Sequence, residues 1–307
     1  MDFNTLLAGD SRILGDGSMY ELLRRSPEVD FDPHIAHAGL IYDRASRAAL
    51  ERVMRAYIEV GVSRRLPMAL TTTTWRANRE RVAASAFAGR AVNEDNARFL
   101  LQLRDEYSGP EQPLLVGGVI GPQGDAYKPG EAPGTEQARQ FHAWQIDALA
   151  GSGVDYLQAA TVPALPEARG IARAMAATGL PYIISFVVEK SGNLLDGHSL
   201  SETIDEIDAI LPGSSRYAIN CVHPSVLLQA LDRNPRIGNL IVAFAGNTSA
   251  RSVDELDGLE ELDTEDPDIF ADAHRRLLDD YDIRIVGGCC GTSPAHMQAI
   301  ATRLLNS

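Results

Sequence analysis

The feature that most constrains the fold of this chain is a regular alternation of short apolar runs with helical patterns along all 307 residues. Each run is rich in aliphatic and β-branched side chains, and a stretch of helical periodicity follows it, which is typical of parallel βα units. Eight such runs lie at residues 11–17, 68–74, 113–122, 154–162, 181–189, 215–224, 239–247 and 283–290. Eight strands in series, with no break in composition, predict an α/β fold, a single (β/α)₈ TIM barrel that takes in residues 1–307 as one domain.

The segments between the runs carry helix signals. Helices are predicted at residues 43–61, 135–153, 165–179 and 201–211, and several of them end at glycine. The last helix is predicted to begin with Ser293 as its N-cap and Pro294 at its first position. A doubly wound open sheet is the alternative fold. No G-x-G-x-x-G motif follows any of the strands, which removes the usual reason to prefer a dinucleotide fold.

The charge balance excludes two classes of partner. The formal net charge is -14 and the isoelectric point is near 4.9. The chain therefore lacks the basic surface that binding to nucleic acid or to an anionic membrane needs. No stretch approaches the ~18 uninterrupted apolar residues of a membrane helix, and the first ten residues lack the features of a targeting signal. We expect a cytoplasmic protein whose partners are small molecules, and the sequence leaves a homo-oligomer open.

Cysteine occurs three times, as Cys221 and as the adjacent pair Cys289 and Cys290. In a (β/α)₈ barrel, catalytic residues lie at the carboxyl ends of the strands. Cys221 ends the sixth predicted strand and the pair ends the eighth, so all three thiols are predicted to meet above the barrel mouth. Adjacent residues of an ideal strand point to opposite faces, so the pair shares one target only where the backbone turns. The glycines on both sides of the pair supply the freedom for that turn.

Three convergent thiols in a reducing compartment favour a soft metal ion over a disulfide. Zn²⁺ held by three thiolates keeps one coordination position open, which is typical of a catalytic site. Such a centre carries a net charge of about -1, so it activates water poorly, but a substrate thiol in the fourth position loses its proton and stays nucleophilic. The predicted cofactor is Zn²⁺, and the predicted chemistry is attack of the activated thiolate on an electrophilic carbon such as a transferable methyl group. The reacting group is the thiolate of the substrate, and no side chain of the protein is predicted to act as a further catalytic residue.

Five motifs are distributed over nearly the whole chain. They are LGDGSM at 14–19, TTTTWRA at 71–77, GGVIGPQGD at 117–125, INCVHP at 219–224 and GGCCGTSPAHMQAI at 287–300. With these motifs the sequence resembles the homocysteine S-methyltransferase family, and the N-C and G-G-C-C-G pair is the most specific part of the resemblance.

The resemblance implies a zinc-dependent S-methyltransferase of methionine biosynthesis, with Zn²⁺ bound by Cys221, Cys289 and Cys290 and activating homocysteine. The chain has no room for a separate cobalamin domain beyond the barrel. We therefore expect a small diffusible methyl donor, such as S-methylmethionine, S-adenosylmethionine or betaine.

The amino acid pocket departs from the family pattern at one carboxylate. Members of the family present an Asp in the first motif and a Glu at the end of the fourth strand, and both receive the substrate ammonium. Asp16 matches the first, whereas Ala160 stands at the Glu position before Thr161. Gln158 lies on the same strand face by period-two alternation and offers a neutral acceptor instead. The predicted substrate contacts are Asp16, Gly17, Ser18, Thr74, Gln158 and Asn247.

Two alternatives stay open because one carboxylate is missing and the first loop, DGSMYEL, is one residue shorter than the family pattern. In the first alternative, the methyl acceptor is a thiol without an amine. In the second, the barrel is a non-catalytic protein that binds a thiol or a metal. Trp75 is predicted to pack over a cationic methyl donor or in the rim. His223 is predicted to share the strand face of Cys221. The acidic stretch at 245–268 is predicted to be a loop whose charges are solvated.

Overall fold

The computed structural model describes residues 2–213, 215–251 and 263–305. Eight parallel strands close into a barrel in chain order, and β1 pairs with β8 through Ile13 and Ile285. The predicted (β/α)₈ TIM barrel is confirmed. The strands are β1 (Ile13–Gly15), β2 (Met68–Thr71), β3 (Leu114–Ile120), β4 (Tyr156–Val162), β5 (Tyr182–Phe186), β6 (Ser215–Val222), β7 (Ile241–Gly246) and β8 (Ile285–Gly288).

Helices occupy the connections between the strands. Each of the helices predicted from the sequence is present within about three residues of its expected bounds. Short 3₁₀ segments occur at His37–Tyr42 and Pro129–Glu131. The helices are α1 (Phe3–Ala8), α2 (Tyr20–Arg24), α3 (Arg44–Ser63), α4 (Arg79–Ala84), α5 (Val92–Asp105), α6 (Thr135–Ala150), α7 (Leu165–Ala176), α8 (Leu200–Ile210), α9 (Pro224–Arg233), α10 (Arg236–Leu240), α11 (Pro267–Asp280) and α12 (Pro294–Leu304).

The last helix begins as the sequence predicts. Ser293 caps α12, and His296 at its third position accepts the backbone N–H of Ser293, so two free N–H groups at this helix end are satisfied reciprocally. Pro294 takes the first helical position, where its missing N–H costs no hydrogen bond. This cap fixes the direction in which the chain leaves the G-G-C-C-G turn.

The amino end of the barrel is closed by α1, which the sequence patterns did not predict. The ring of Phe3 stacks on that of Tyr156 with centroids 4.7 Å apart, and Leu6 is buried beside it. These side chains join inward-facing residues of the strands in one apolar cluster. Because this end of the barrel is filled, a ligand has access only at the carboxyl ends of the strands.

The segment after β7 is partly described. Residues 247–251 and 263–266 are loop, as predicted, and the acidic run 252–262 lies outside the described residues. Asp263, within the stretch predicted to be solvated, lines the cavity at the barrel mouth and accepts the hydroxyl of Ser249 at 2.6 Å. The Asp263 side chain is still 35% exposed, and the solvation of the remaining charges of this run stays a prediction. Among the described helices, none has the length and apolar content needed to cross a membrane.

Candidate metal centre and substrate cavity

A cavity of about 550 Å³ opens at the carboxyl ends of the strands. Its volume is in the range of small-molecule sites, and its position is the one that (β/α)₈ enzymes use for catalysis. The predicted residues Asp16, Gly17, Ser18, Gln158, Asn247 and the three cysteines line it. The sequence motifs thus meet at one site in the structure.

The three thiols converge in this cavity. The Sγ atoms of Cys221, Cys289 and Cys290 lie within 4.8 Å of one another, and no other group of His, Cys, Asp or Glu in the described ranges has metal-site geometry. Cys221 Sγ and Cys290 Sγ are 3.6 Å apart, too far for a disulfide bond. Two sulfurs bound about 2.3 Å from a tetrahedral Zn²⁺ would be about 3.8 Å apart, so the donor set fits the predicted ion.

Cys221 reaches the cluster through an unusual backbone conformation. Its φ is 61°, and the pairing of β6 with β7 shifts register between Asn220 and Val222. A residue other than glycine rarely adopts positive φ, and such strain is typical of functional sites. It also ends the alternation of side chains, so His223 does not follow Cys221 into the main cavity. Instead, His223 caps α9 and accepts the N–H of Ser225.

Cys289 and Cys290 follow the last residue of β8, so strand alternation does not apply to them. Cys289 N–H donates to the carbonyl of Gly246 at 2.7 Å, and Cys290 N–H donates to Asn247 Oδ1 at 3.0 Å. Gly291 completes the turn with a φ of 84°, and a Cβ there would lie 1.9 Å from Thr248 Oγ1. The predicted backbone turn is present, and it requires glycine for both its dihedral angle and its close packing.

The three cysteines shift one another's pKa values. Hydrogen bonds from Cys289 and Cys290 hold the pKa of Cys221 well below its ordinary value, against the opposing effect of burial. In return, the hydrogen bonding and negative charge of Cys221 raise the pKa of both partners. Without a cation, Cys221 is therefore the thiol that loses its proton most readily, and Cys289 and Cys290 hold theirs more firmly. A divalent metal ion would release the remaining protons.

Two asparagines hold the cysteine-bearing segments. Asn220 Oδ1 accepts the N–H of Thr161 at 2.9 Å and the hydroxyl of Ser185 at 2.7 Å, which links β4, β5 and β6. Its Nδ2 lies 4.0 Å from Cys289 Sγ. Asn247 fixes the turn through Cys290 N–H and also hydrogen-bonds Cys221, which lowers the pKa of that thiol. Both amides orient residues of the cluster.

Tyr127 belongs to the site, although the sequence analysis did not single it out. Its hydroxyl lies 2.8 Å from Cys221 Sγ. Burial raises the pKa of this phenol well above its ordinary value, and the neighbouring cysteines add to that effect. Tyr127 comes from the long loop between β3 and α6, where no strand or helix period indicates which way a side chain points.

Asp16 is the buried carboxylate of the cavity. Its Oδ2 accepts both the N–H of Thr71 at 2.7 Å and the hydroxyl of Thr71 at 2.8 Å. Burial raises the pKa of Asp16 to about 7, although the bonds from Thr71 oppose that shift. Asp16 thus exchanges a proton in the neutral range, and a bound cation would favour its ionised form.

The first loop is held by its own contacts. Gly17 lies against the ring of Tyr57, which a Cβ at position 17 would approach to 2.6 Å. The N–H of Ser18 donates to Thr292 Oγ1 at 2.9 Å, and Tyr57 donates to the carbonyl of Ser18 at 3.0 Å. The backbone of Ser18 is therefore already engaged on both sides.

Thr74 lies outside the cavity lining. Its side chain is fully buried, and its hydroxyl donates to the carbonyl of Val119 at 2.6 Å. Its own carbonyl accepts the amide of Gln145 at 2.7 Å. The predicted substrate contact at Thr74 is corrected to a role in joining β3 and α6 to the loop after β2.

At the end of β4, the space predicted for the family carboxylate is bordered by an aromatic ring. Trp75 Nε1 donates to the carbonyl of Ala160 at 3.2 Å, and both residues line the cavity. Gln158 also lines it, and within the described residues its amide makes no hydrogen bond to protein. A neutral amide and an indole thus border the wall where the family pattern has a carboxylate.

Comparisons with known proteins show what this chain is similar to. The sequence profile of the family described as homocysteine S-methyltransferase matches residues 13–304. Methionine synthase from Mycobacterium tuberculosis is 25% identical over 96% of this chain, which spans only 25% of that protein. The homocysteine S-methyltransferase YbgG of Bacillus subtilis is 26% identical, and the match covers 70% of this chain and 74% of YbgG.

A solved structure has the same fold. The homocysteine methyltransferase MmuM from Escherichia coli, in its metallated form, superposes with a TM-score of 0.76 at 22% sequence identity. The match covers 97% of this chain and 98% of MmuM.

Proposed function

Because this chain belongs to the homocysteine S-methyltransferase family, we propose that it is a zinc-dependent enzyme that transfers a methyl group from a small donor to homocysteine or a related thiol. The observation that carries this proposal is the convergence of three cysteine Sγ atoms within 4.8 Å at one end of the substrate cavity. The whole chain, residues 1–307, would form the catalytic domain.

Cys221, Cys289 and Cys290 would hold the ion. When bound, Zn²⁺ would lower the pKa of the acceptor thiol and keep its sulfur facing the cavity. The donor set supports this assignment, because three thiolates suit Zn²⁺ and leave one position open. MmuM, whose fold this chain shares, has itself been crystallised in a metallated form.

The reaction balances without another co-reactant. The acceptor thiol loses its proton to solvent, and its sulfur forms a bond to the methyl carbon of the donor. The bond from that carbon to the donor sulfur or nitrogen breaks, and its electron pair returns to the donor atom, which becomes neutral. S-methylmethionine, S-adenosylmethionine and betaine all carry a methyl group on a cationic sulfur or nitrogen atom. The cavity walls position the two substrates for this displacement.

The test is turnover by the zinc-loaded protein. We expect a thioether product when homocysteine or 3-mercaptopropionate is incubated with S-methylmethionine, S-adenosylmethionine or betaine, and mass spectrometry of the product identifies the pair. Protein depleted of metal by a chelator serves as the control and should regain activity when zinc is restored. Failure of the zinc-loaded protein to methylate any thiol in this panel would contradict the proposal.

Asp16 is proposed to receive the ammonium of an amino acid thiol. Replacing it by Asn should raise KM for homocysteine by about 10- to 150-fold, the effect of losing a hydrogen bond to a charged group. In the wild type, KM for homocysteine should fall as pH rises through 7, because Asp16 ionises with a pKa of about 7 and only the ionised form pairs with ammonium. Steady-state kinetics between about pH 6 and 8 check both effects.

The Asp16→Asn variant should keep its fold. Burial raises the pKa of Asp16 above its unfolded value, so the ionised carboxylate lowers stability as pH rises from about 4 through 7. Removing the charge should therefore leave the melting temperature at about pH 8 unchanged or higher. The matched thiol 3-mercaptopropionate has no ammonium, and its KM should not respond to the substitution. An unchanged KM for homocysteine would show that Asp16 does not bind the ammonium.

A further inference from the structure

Arg76 is a cavity residue that the proposed chemistry has not used. It follows Trp75 in the loop after β2, and its guanidinium carbon lies 4.2 Å from the centre of the Trp75 ring. Nη1 donates to the carbonyl of Gly124 at 3.2 Å. The residue is half-buried, and burial lowers the pKa of its guanidinium from the ordinary value. The indole and this carbonyl thus hold the cation at the cavity wall.

This guanidinium lacks an anionic partner. Arg24 and Arg25, which also line the cavity, both pair with Glu21, whereas Arg76 forms no ion pair in the described part of the chain. Asp125 lies near enough to favour the charge of Arg76, but it pairs with Lys128 at 3.6 Å. A cation withdrawn from water without a counter-charge is costly. Its environment is therefore suited to an anionic ligand.

Aromatic groups surround the same part of the cavity. Tyr20 and Tyr127 line the cavity together with Arg76, and the Tyr127 hydroxyl contacts Cys221 Sγ at 2.8 Å. The His37 ring lies edge-on to Tyr20 with centroids 5.5 Å apart. His37 is buried with no partner for Nδ1, and burial lowers its pKa to about 4, so it is neutral in the physiological range. Aromatic faces attract onium cations.

We propose that Arg76 binds the carboxylate of the methyl donor, and that this residue makes the site discriminate against onium ions without a carboxylate. This inference rests on the proposed function, because it needs a methyl donor. Guanidinium pairs with carboxylate through two parallel hydrogen bonds, which fix the orientation of the ligand as well as its position. The carboxylate lies against Arg76, and the onium methyl group points past the aromatic walls toward the thiol cluster.

The donor fits this position better than the acceptor does. The acceptor sulfur is placed by the three cysteines, and its ammonium by Asp16 at the end of β1. Arg76, Tyr127 and Cys221 line the same cavity, so a second substrate held by Arg76 shares that cavity with the acceptor sulfur. An onium ion without a carboxylate would meet the uncompensated charge of Arg76 and be repelled. The same residue thus selects donors that carry a carboxylate and disfavours those that lack one.

The test compares Arg76→Gln with the wild type in equilibrium binding, measured by calorimetry in zinc-loaded and in metal-free protein. The probes are S-methylmethionine, S-adenosylmethionine and betaine, with trimethylsulfonium and tetramethylammonium as matched ions without a carboxylate. For each carboxylate donor that the wild type binds, we expect Kd to rise about 10- to 100-fold, and any binding of the two simple ions to weaken by less than about twofold or to improve.

Three controls make the result specific. Arg52→Gln removes an exposed arginine that pairs with Glu28 outside the cavity lining, and it should leave every Kd near the wild-type value. Arg76→Lys keeps the charge without the planar fork, so it should retain part of the affinity. Melting temperatures of all variants, and KM for the acceptor thiol, should match those of the wild type.

The possible results separate the two proposals. If the wild type transfers methyl groups and Arg76→Gln binds its donor equally well, the role of Arg76 is wrong and the proposed function stands. Equal losses for donors with and without a carboxylate, or a rise in the acceptor KM instead of the donor Kd, would also overturn the assignment. If the wild type neither binds nor uses any donor in the panel, the proposed function fails and this inference fails with it.

Discussion

Replacing Cys221, Cys289 or Cys290 by serine should abolish tight zinc binding and, with it, nearly all methyl transfer. Wild-type protein purified reduced and with zinc supplied should hold about one Zn²⁺ per chain. Mutation of a group that only hydrogen-bonds to a metal ligand typically costs ~10- to 100-fold in activity. Each serine variant should lose more than that, because it removes a thiolate that contacts the ion itself. Metal analysis after dialysis, together with turnover at saturating substrates, measures both effects.

The reason lies in the charges of the cluster. The close contacts among the three thiols raise the pKa of Cys289 and Cys290, so the metal-free site holds protons that Zn²⁺ must displace. Zinc binding should therefore weaken as pH falls, with proton release on binding. Tyr127→Phe is the matched control, because Tyr127 touches Cys221 Sγ but supplies no thiolate. Reduced wild-type protein that gains no zinc on reconstitution would refute the metal assignment.

The strand order and the meeting of the cysteines followed from sequence because both depend on regular features. Apolar runs of similar length alternate with helical segments, and parallel strands bring their carboxyl ends to one rim. Cys221, Cys289 and Cys290 all lie at or just beyond a strand end, so the fold alone brings them close. The family motifs then assigned the same residues to the metal.

The finer geometry of the site depends on contacts that no local pattern encodes. The positive φ of Cys221 and of Thr161 arises where the strand register shifts, at positions where neither side chain favours that conformation. Tyr127 and Arg76 lie in loops without a period. Thr74 belongs to the TTTTWRA motif, but β2 ends at Thr71. The side chain of Thr74 therefore points into the protein and not into the cavity. These residues take their roles from tertiary packing.

The end of β4 is where the structure most limits the substrate. Trp75 Nε1 binds the carbonyl of Ala160, and the carbonyl of Trp75 lies 2.6 Å from where a Cβ on Gly121 would be, so the loop after β2 packs closely over this wall. Asp16 and Gln158 line the same cavity. A longer side chain at position 160 would therefore extend into a cavity that an indole borders and that already holds a carboxylate whose pKa is raised to about 7 by burial.

Ala160→Glu should consequently lower stability and lower kcat/KM for the true acceptor, even though it restores the carboxylate found elsewhere in the family. An added carboxylate without a partner costs ~1 to 3 kcal/mol, and the like charge of Asp16 adds to that cost. Ala160→Gln is the matched control, because glutamine has nearly the size of glutamate but no charge. The difference in stability and in kcat/KM between the two variants therefore measures the electrostatic contribution. Thermal unfolding at about pH 8 and kinetics with homocysteine and 3-mercaptopropionate measure the effects.

The sign of the change with homocysteine decides how this pocket recognises its acceptor. If the wall at Ala160 were an unfilled ammonium site, the new carboxylate would improve kcat/KM for homocysteine by the ~1.5 to 3 kcal/mol of a charge-assisted hydrogen bond, and 3-mercaptopropionate would gain nothing. We expect the opposite, a loss for both thiols, because Trp75 and Gln158 already occupy this wall and the buried carboxylate of Asp16 is already available to receive an ammonium. A selective gain for homocysteine would contradict this expectation and show that the wall at Ala160 is an unfilled ammonium site.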